Sequence, residues 1–316
     1  MAVLLLVVLA LLFFTPPLMV KWKLLHRRNV EPLFPMGVDP QGKTIVENPE
    51  AEALFNDEES PIKSILADAN DAFDMAAVAI ASSPLYHFFP LPEVHLVRIQ
   101  PGYRKEEVAA AFRNAFDWND LQEQKFLEST GNFGPRINEG EFAPGVYLYN
   151  NNSGNKTIRE SIRNQFETDI LSRFSSSTAA RVSIDEALKI ASIIQRETGN
   201  KHQMRLISGI IWNRLFRGMN LQMDATLQYA KATKETGWWP AVYPADKYID
   251  SPFNTYKNPG LPPAPIANPG VAALMATLNP KKTPCLFYLH DRWGGFHCST
   301  NYTDHVALIK KYYRRK

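Results

Sequence analysis

The sequence predicts an α+β chain: an N-terminal transmembrane helix, a small module of two strands flanking two helices, and a larger α/β domain. Three observations carry this expectation. Residues 2–20 are uncharged and almost wholly apolar, close to the roughly 20 residues that span a bilayer. Between residues 94 and 149 the pattern runs strand, helix, helix, strand. From residue 183 onward, two capped amphipathic helices precede aromatic-rich, proline-rich and hairpin-like segments.

The apolar stretch is broken only by Thr15-Pro16-Pro17 and is followed at once by Lys21, Lys23, Arg27 and Arg28. With no small-x-small cleavage site in view, residues 1–28 read as an uncleaved anchor rather than a leader peptide. The positive-inside rule assigns the basic cluster, and the chain after it, to the cytosolic side. An upstream start carrying further Lys or Arg would reverse that orientation.

Composition narrows the possible functions. The 316 residues are 45% hydrophobic and 21% charged, ordinary values for a chain with a real core. Thirty-five basic and 32 acidic residues leave a net charge of only +3, which argues against a nucleic-acid partner. Seven His, two Cys and no CxxC or HExxH motif give no expectation of a metal site. No cofactor is expected either, because no lysine setting or phosphate-cradling loop suggests a pyridoxal enzyme.

Residues 29–92 read as a tether without assigned chemistry. Within them, 48–59 is acidic and suits a linker or short helix, and 62–82 has helical spacing. Residues 93–150 form the small module: a strand over 94–99, helices over 105–116 and 121–127, and a strand over 142–149. Residues 151–316 form the final domain. A helix is expected over 157–174, then a serine-rich linker at 175–178.

The chemistry concentrates in the final domain. Ser183-Ile-Asp-Glu186 is a capping box opening a helix from Ile184 to Thr198, with Gly199 as terminator. Ile190, Ile193 and Ile194 lie seven, four and three residues before Glu197, so they share its helix face. Glu197 therefore projects from an apolar stripe in the last turn. Apolar surroundings and the negative end of the helix dipole both favour the protonated form. A carboxylic acid still protonated near neutral pH can donate to the leaving oxygen of a glycosidic bond. The bland alternative is a staple in which Glu197 pairs with Arg205 or Arg214.

The next helix, Lys201 to Arg217, buries Met204, Ile207, Ile211 and Leu215 and ends at Gly218. In Leu221-Gln-Met-Asp-Ala-Thr226, alternation places Gln222, Asp224 and Thr226 on one side of an extended segment, either a solvated edge or a cleft lining. Trp238, Trp239, Tyr243, Tyr248, Phe253 and Tyr256 follow; flat rings with polar rims suit sugar faces as well as cores. Residues 260–270 contain four prolines and make a stiff wall. Residues 285–289 and 296–298 flank Trp293-Gly-Gly295 as a hairpin, which leaves a Cys285–Cys298 disulfide open.

Ala191-Ser-Ile-Ile-Gln-Arg-Glu-Thr198, Gly218-Met-Asn-Leu-Gln-Met-Asp-Ala-Thr226, Ser251-Pro-Phe-Asn-Thr-Tyr256 and the 260–270 stretch together resemble, in order and spacing, the endolytic murein transglycosylase family (MltG, YceG-like). The likeness covers about residues 93–316 and is strongest from 183 to 305. It implies a single-pass inner-membrane protein with a LysM-like module and an α/β YceG-like catalytic domain on the extracytoplasmic side, against the charge rule. It also implies lytic cleavage between N-acetylmuramic acid and N-acetylglucosamine of nascent peptidoglycan glycan strands, terminating elongation, with peptidoglycan synthases as partners.

The family's catalytic acid falls on Glu197. A second Glu common two residues earlier is Gln195 here, which leaves Glu197 as the only carboxylate of that motif. Gln222, Asp224, Asn254 and Tyr256 are the candidates for holding the sugars. Glu139-Gly-Glu-Phe-Ala-Pro144 matches the segment joining module to catalytic domain, although Gly145 and Ala264 depart from the usual residues. The family's late Gly-His is displaced by one place, to His297, which on a strand faces the other way. Two rival readings stand beside this one. The first is a muramidase-type hydrolase with Asp224 as a second catalytic carboxylate. The second is a non-catalytic glycan-binding or divisome scaffold.

Overall fold

The computed structural model describes residues 14–20, 22, 32–58, 61–81, 83, 86, 94–128, 135–150 and 152–313. Much of the expected anchor, 1–28, lies outside the described residues. Among those described, no helix is long and apolar enough to cross a membrane. Residues 14–20 are helical, and Val20 is buried with Ala77, Ala81, Tyr86 and Leu96.

The chain divides into two compact units. One comprises residues up to 32 and 56–171; the other comprises 33–55 and 172–316. These limits differ from the expected 29–92, 93–150 and 151–316. In chain order, β1 (Val38–Asp39) and β2 (Thr44–Ile45) form a short ladder, followed by α1 (Pro49–Glu58). Next come α2 (Pro61–Ala81), β3 (Val94–Ile99), α3 (Lys105–Phe116), α4 (Asp120–Glu128), β4 (Gly145–Asn150) and α5 (Asn155–Asp169).

In the first unit β3 and β4 pair antiparallel over their full length, from Val94↔Asn150 to Ile99↔Gly145. Alternation along the strands serves two apolar layers. Val97, Ile99, Tyr147 and Tyr149 pack with Phe112, Trp118 and Phe126, whereas Leu96, Val146 and Leu148 pack with residues of α2. Glu107 accepts the Arg104 N–H at 2.9 Å and so satisfies a free donor at the start of α3. The strand–helix–helix–strand order is the expected one. Helix α5 stops at Asp169 rather than 174, and its Ile158 and Ile162 are fully buried in the same core. That burial is why residues 152–171 count with this unit and not with the final domain.

The second unit continues with α6 (Ser176–Ala179), α7 (Ile184–Glu197), α8 (Lys201–Phe216), α9 (Asp224–Lys231), α10 (Val271–Leu278), β5 (Phe287–His290), β6 (Phe296–Ser299) and α11 (Tyr302–Tyr313). Helices α7, α8 and α10 pack on one another through Ile190, Ile193, Ile194, Ile207, Ile211 and Leu274, all fully buried. Gly209 permits close approach of α8 to the following chain: a Cβ there would lie 2.3 Å from the Lys281 carbonyl oxygen.

Part of the expected tether belongs to this unit. The buried Arg205 guanidinium donates to the Asn279 carbonyl at 2.9 Å and pairs with Glu52 at 2.5 Å. The Asn279 side chain donates to the Pro35 carbonyl at 2.6 Å, and Gly37 N–H to the Leu278 carbonyl at 2.8 Å. Residues 33–55 are thus integral to the fold of the second unit.

Candidate active site

Glu197 ends α7, as the apolar stripe predicts. The expected cap starts this helix: Ser183 Oγ accepts the Glu186 N–H at 3.2 Å. The proline-rich wall fixes the other side of the helix. Ile266 N–H donates to Ser192 Oγ at 3.0 Å, and Gly270 N–H to Gln195 Oε1 at 3.1 Å. Gln195 is therefore spent on the scaffold.

The Glu197 carboxylate faces a cleft of about 600 Å³ lined by Arg214, Gln222, Asp224, Tyr256, Tyr288 and residues of α11. Its surface is partly open, but protein surrounds it on the remaining sides. Desolvation is the largest influence on its proton and raises its pKa; the neighbouring charge of Asp224 raises it further. Opposing these, the Tyr288 hydroxyl donates to Glu197 Oε2 at 2.8 Å, and the Ala225 N–H donates to the same carboxylate. Ala225 lies in the first turn of α9, where N–H groups lack helical partners. The carboxyl thus sits at the tail of one helix and the head of another, and burial decides the balance towards the protonated form.

The alternative arginine staple is absent. Arg205 is committed to Glu52 and Asn279. Buried Arg214 donates Nε to the Leu286 carbonyl at 2.7 Å and Nη1 to the Leu221 carbonyl. It therefore binds β5 and the 221 loop to α8 and places its charge near Glu197, Tyr256 and Tyr288 without an ion pair to Glu197. Among the described residues, no group of three or more His, Cys, Asp or Glu side chains is placed to hold a metal ion.

The YceG-like family model matches residues 75–311. The chain belongs to the YceG-like family. Relatives of this YceG-like chain include the endolytic murein transglycosylase of Bacillus subtilis (strain 168), 31% identical over 220 residues, which is 68% of this chain and 60% of that protein. The endolytic murein transglycosylase of Streptococcus pneumoniae serotype 2 (strain D39) is 27% identical over 180 residues, 56% of this chain and 33% of that protein. The chain thus spans about 60% or less of the length of these relatives. A crystal structure of a yceG-like protein from Listeria monocytogenes matches with a TM-score of 0.60 at 23% identity, covering 74% of this chain and 81% of that one. That likeness speaks for the mixed α+β fold.

Of the predicted sugar-holding residues in this YceG-like site, three line the cleft with Glu197: Gln222, Asp224 and Tyr256. Gln222 adopts a left-handed backbone (φ 52°), a conformation costly for a side-chain-bearing residue. Tyr256 donates its hydroxyl to Asp224 at 2.6 Å. Asn254 does not line the cleft, which corrects the expectation of a direct sugar contact. It is fully buried, donates to the Lys247 and Ile249 carbonyls at 3.1 and 2.8 Å, and accepts the Tyr256 N–H at 2.9 Å. It shapes the loop that presents Tyr256.

The alternation expected through Thr226 also fails, because α9 begins at Asp224. Thr226 turns inward and bonds Thr255 Oγ1 at 2.8 Å. Of the aromatic crowd, only Tyr256 lines the cleft. Trp239 stacks on Arg196 at 3.6 Å, and Phe253 packs tilted against Tyr229 with ring centroids 4.7 Å apart. His297 bonds Asp291 at 2.8 Å and stacks on Tyr312.

The YceG-like chain places residues in the cleft that the sequence alone left unassigned, Tyr288 and His290 from β5 and Tyr302 and Tyr313 from α11, and beside them His305, a histidine available from the sequence as a polar cleft residue. The hairpin carrying Tyr288 pairs Phe287↔Ser299 to His290↔Phe296 and is closed by a Cys285–Cys298 disulfide with Cα atoms 5.8 Å apart. The available signal was the alternating Tyr288 and His290 on a strand already expected beside the cysteines.

Proposed function

We propose that this protein is an endolytic peptidoglycan lytic transglycosylase. It cleaves the bond between N-acetylmuramic acid and N-acetylglucosamine in nascent glycan strands and leaves a 1,6-anhydromuramic acid end. The observation that carries this reading is a single desolvated carboxyl, Glu197, facing a partly open cleft of about 600 Å³, with its pKa raised by burial and by Asp224.

Protonated Glu197 donates to the glycosidic oxygen as positive charge develops at C1 of the muramic acid. The resulting carboxylate takes the proton of the muramic acid 6-hydroxyl as O6 closes onto C1. The glycosidic C1–O bond breaks, a C1–O6 bond forms, and Glu197 regains its proton with no water consumed. One carboxylate suffices because the attacking oxygen belongs to the substrate, whereas hydrolases use two carboxylates at set separations. Gln222, Asp224 and Tyr256 hold the sugars.

The proximity of Asp224 favours a second reading, a muramidase-type hydrolase. Mass spectrometry of released fragments separates the two, since the lytic product is lighter by one water. Replacing Glu197 with Gln abolishes cutting while strand binding persists; a variant that cuts like the parent removes Glu197 from the mechanism.

The apolar stretch 2–20 supports a membrane anchor, with the catalytic unit on the extracytoplasmic side where peptidoglycan strands grow. The β3–α3–α4–β4 arrangement supports a LysM-like module. Termination of strand elongation brings the enzyme beside peptidoglycan synthases, its expected partners.

A further inference from the structure

Tyr288 stands in a position that the lytic reaction does not strictly require. Its hydroxyl donates to Glu197 Oε2 at 2.8 Å and lies 3.4 Å from Met223 Sδ, a weak acceptor beside a carboxylate. The ring stacks on Phe296 at 5.5 Å, and its strand is paired to Cys298, half of the hairpin disulfide. These contacts give the hydroxyl a fixed origin. Burial and the adjacent Glu197 keep the phenol protonated, so it remains a donor throughout.

A donor aimed at Oε2 has a chemical consequence. While Tyr288 donates to it, Oε2 is an acceptor in both protonation states of Glu197, which leaves Oε1 to carry the transferable proton. When that proton leaves, the bond to Tyr288 becomes charge-assisted and strengthens. An interaction stronger after transfer than before it lowers the barrier.

Resting on the transglycosylase reading above, we propose that Tyr288 is a positioning residue: it fixes Oε1 as the proton-bearing oxygen and stabilises the Glu197 carboxylate formed by proton donation. Tyr288 keeps its own proton throughout. The proton leaving Oε1 goes to the glycosidic oxygen, and the proton of the 6-hydroxyl returns to Glu197. The other charged or titratable groups facing Glu197 are Arg196 on α7, Arg214 on α8, Asp224 on α9 and Tyr256. Lys247, His290, Tyr302, His305 and Tyr313 also line the cleft.

The test is Tyr288→Phe in the full chain, with kcat and KM for glycan cutting measured across pH. The expected result is a kcat lower by about 10- to 100-fold, the range of one hydrogen bond to a charged group, with KM within about twofold. The alkaline limb of the kcat/KM profile moves to higher pH, because the lost bond favours the carboxylate. An unmoved limb overturns the proposal, since a purely structural role predicts no such shift. If the Phe variant does not fold, 3-fluorotyrosine at position 288, a stronger donor of nearly the same shape, decides the matter. It moves the limb to lower pH; no movement overturns the proposal. A dead Glu197→Gln beside an unshifted Tyr288 profile rejects this inference alone, whereas a fully active Glu197→Gln rejects the underlying reaction.

Discussion

Tyr256 donates to Asp224 at 2.6 Å while Tyr288 donates to Glu197 at 2.8 Å, so the two neighbouring carboxylates of the cleft are each held by their own tyrosine. The pairing separates their roles. Asp224 is exposed and hydrogen-bonded, whereas Glu197 is desolvated and pushed towards its protonated form. In the proposed reaction it is this environment, not residue type, that selects Glu197 as the acid.

Asp224→Asn tests that division. Removing the Asp224 charge removes an influence that raises the Glu197 pKa, so the alkaline limb of kcat/KM moves to lower pH. A lytic enzyme loses about tenfold in rate and still releases anhydro ends. A hydrolase relying on Asp224 loses cutting almost completely, and the fragment mass then identifies it.

Asn254→Ala is expected to act on stability rather than on sugar contact. It leaves the part-buried Lys247 and Ile249 carbonyls and the Tyr256 N–H without their partner, a loss of about 1–3 kcal/mol. Urea unfolding measures it directly. A variant with parental stability but weaker glycan binding would return Asn254 to the cleft.

The contrast between Glu197 and Asn254 shows what the sequence made legible. Helical periodicity is local, so Ile190, Ile193 and Ile194 placed Glu197 on its buried face, and the capping box set the helix start. Asn254 lies in a loop whose polar atoms serve its own backbone, and no periodicity reports that. Tyr288 reaches Glu197 across 91 residues, a pairing no local pattern encodes. The segment 33–55 read as a tether because its partners, Arg205 and Asn279, are distant in sequence. Thr226 was misplaced because alternation was extended past the start of α9.

The hairpin disulfide closes a loop with a sequence separation of 13. Replacing both Cys285 and Cys298 with Ser should cost about 3 kcal/mol in the loop-entropy account. Since Tyr288 pairs with Cys298 in the strand register, activity should fall at temperatures below the global melt. Parallel thermal scans and activity assays, with and without reductant, check both effects. Coincident loss of the two signals would show that the hairpin has no independent part in the site.

Glu139 in the first unit is buried, accepts the Lys105 N–H at 3.0 Å, and has its pKa pushed up to about 8, first by burial and then by the charge of Glu106. A carboxyl raised in the fold contributes stability that is complete below the unfolded value of about 4.5 and is lost as pH rises through about 8. Glu139→Gln keeps an acceptor and cannot ionise. It should exceed the parent in stability by about 1–3 kcal/mol at pH 8–9, with the difference vanishing near pH 4. Denaturant titrations at the two pH values give the comparison.

Glu52 carries the opposite sign. Hydrogen bonds and charge from Arg205 and Lys281 hold its pKa at about 2 against an ordinary 4.5. Its contribution is therefore present above about 4.5 and lost as pH falls towards 2. The side chain is 26% exposed, so solvent screening reduces the effect to about 1–2 kcal/mol. Glu52→Gln should lower stability at pH 7 by somewhat more than that, because it leaves the buried Arg205 guanidinium without its counter-charge. The variant should also lose less stability than the parent between pH 5 and 2. Thermal melts across that window decide it: parallel curves for parent and variant would mean that the Arg205 pair contributes nothing to holding residues 33–55 in the second unit.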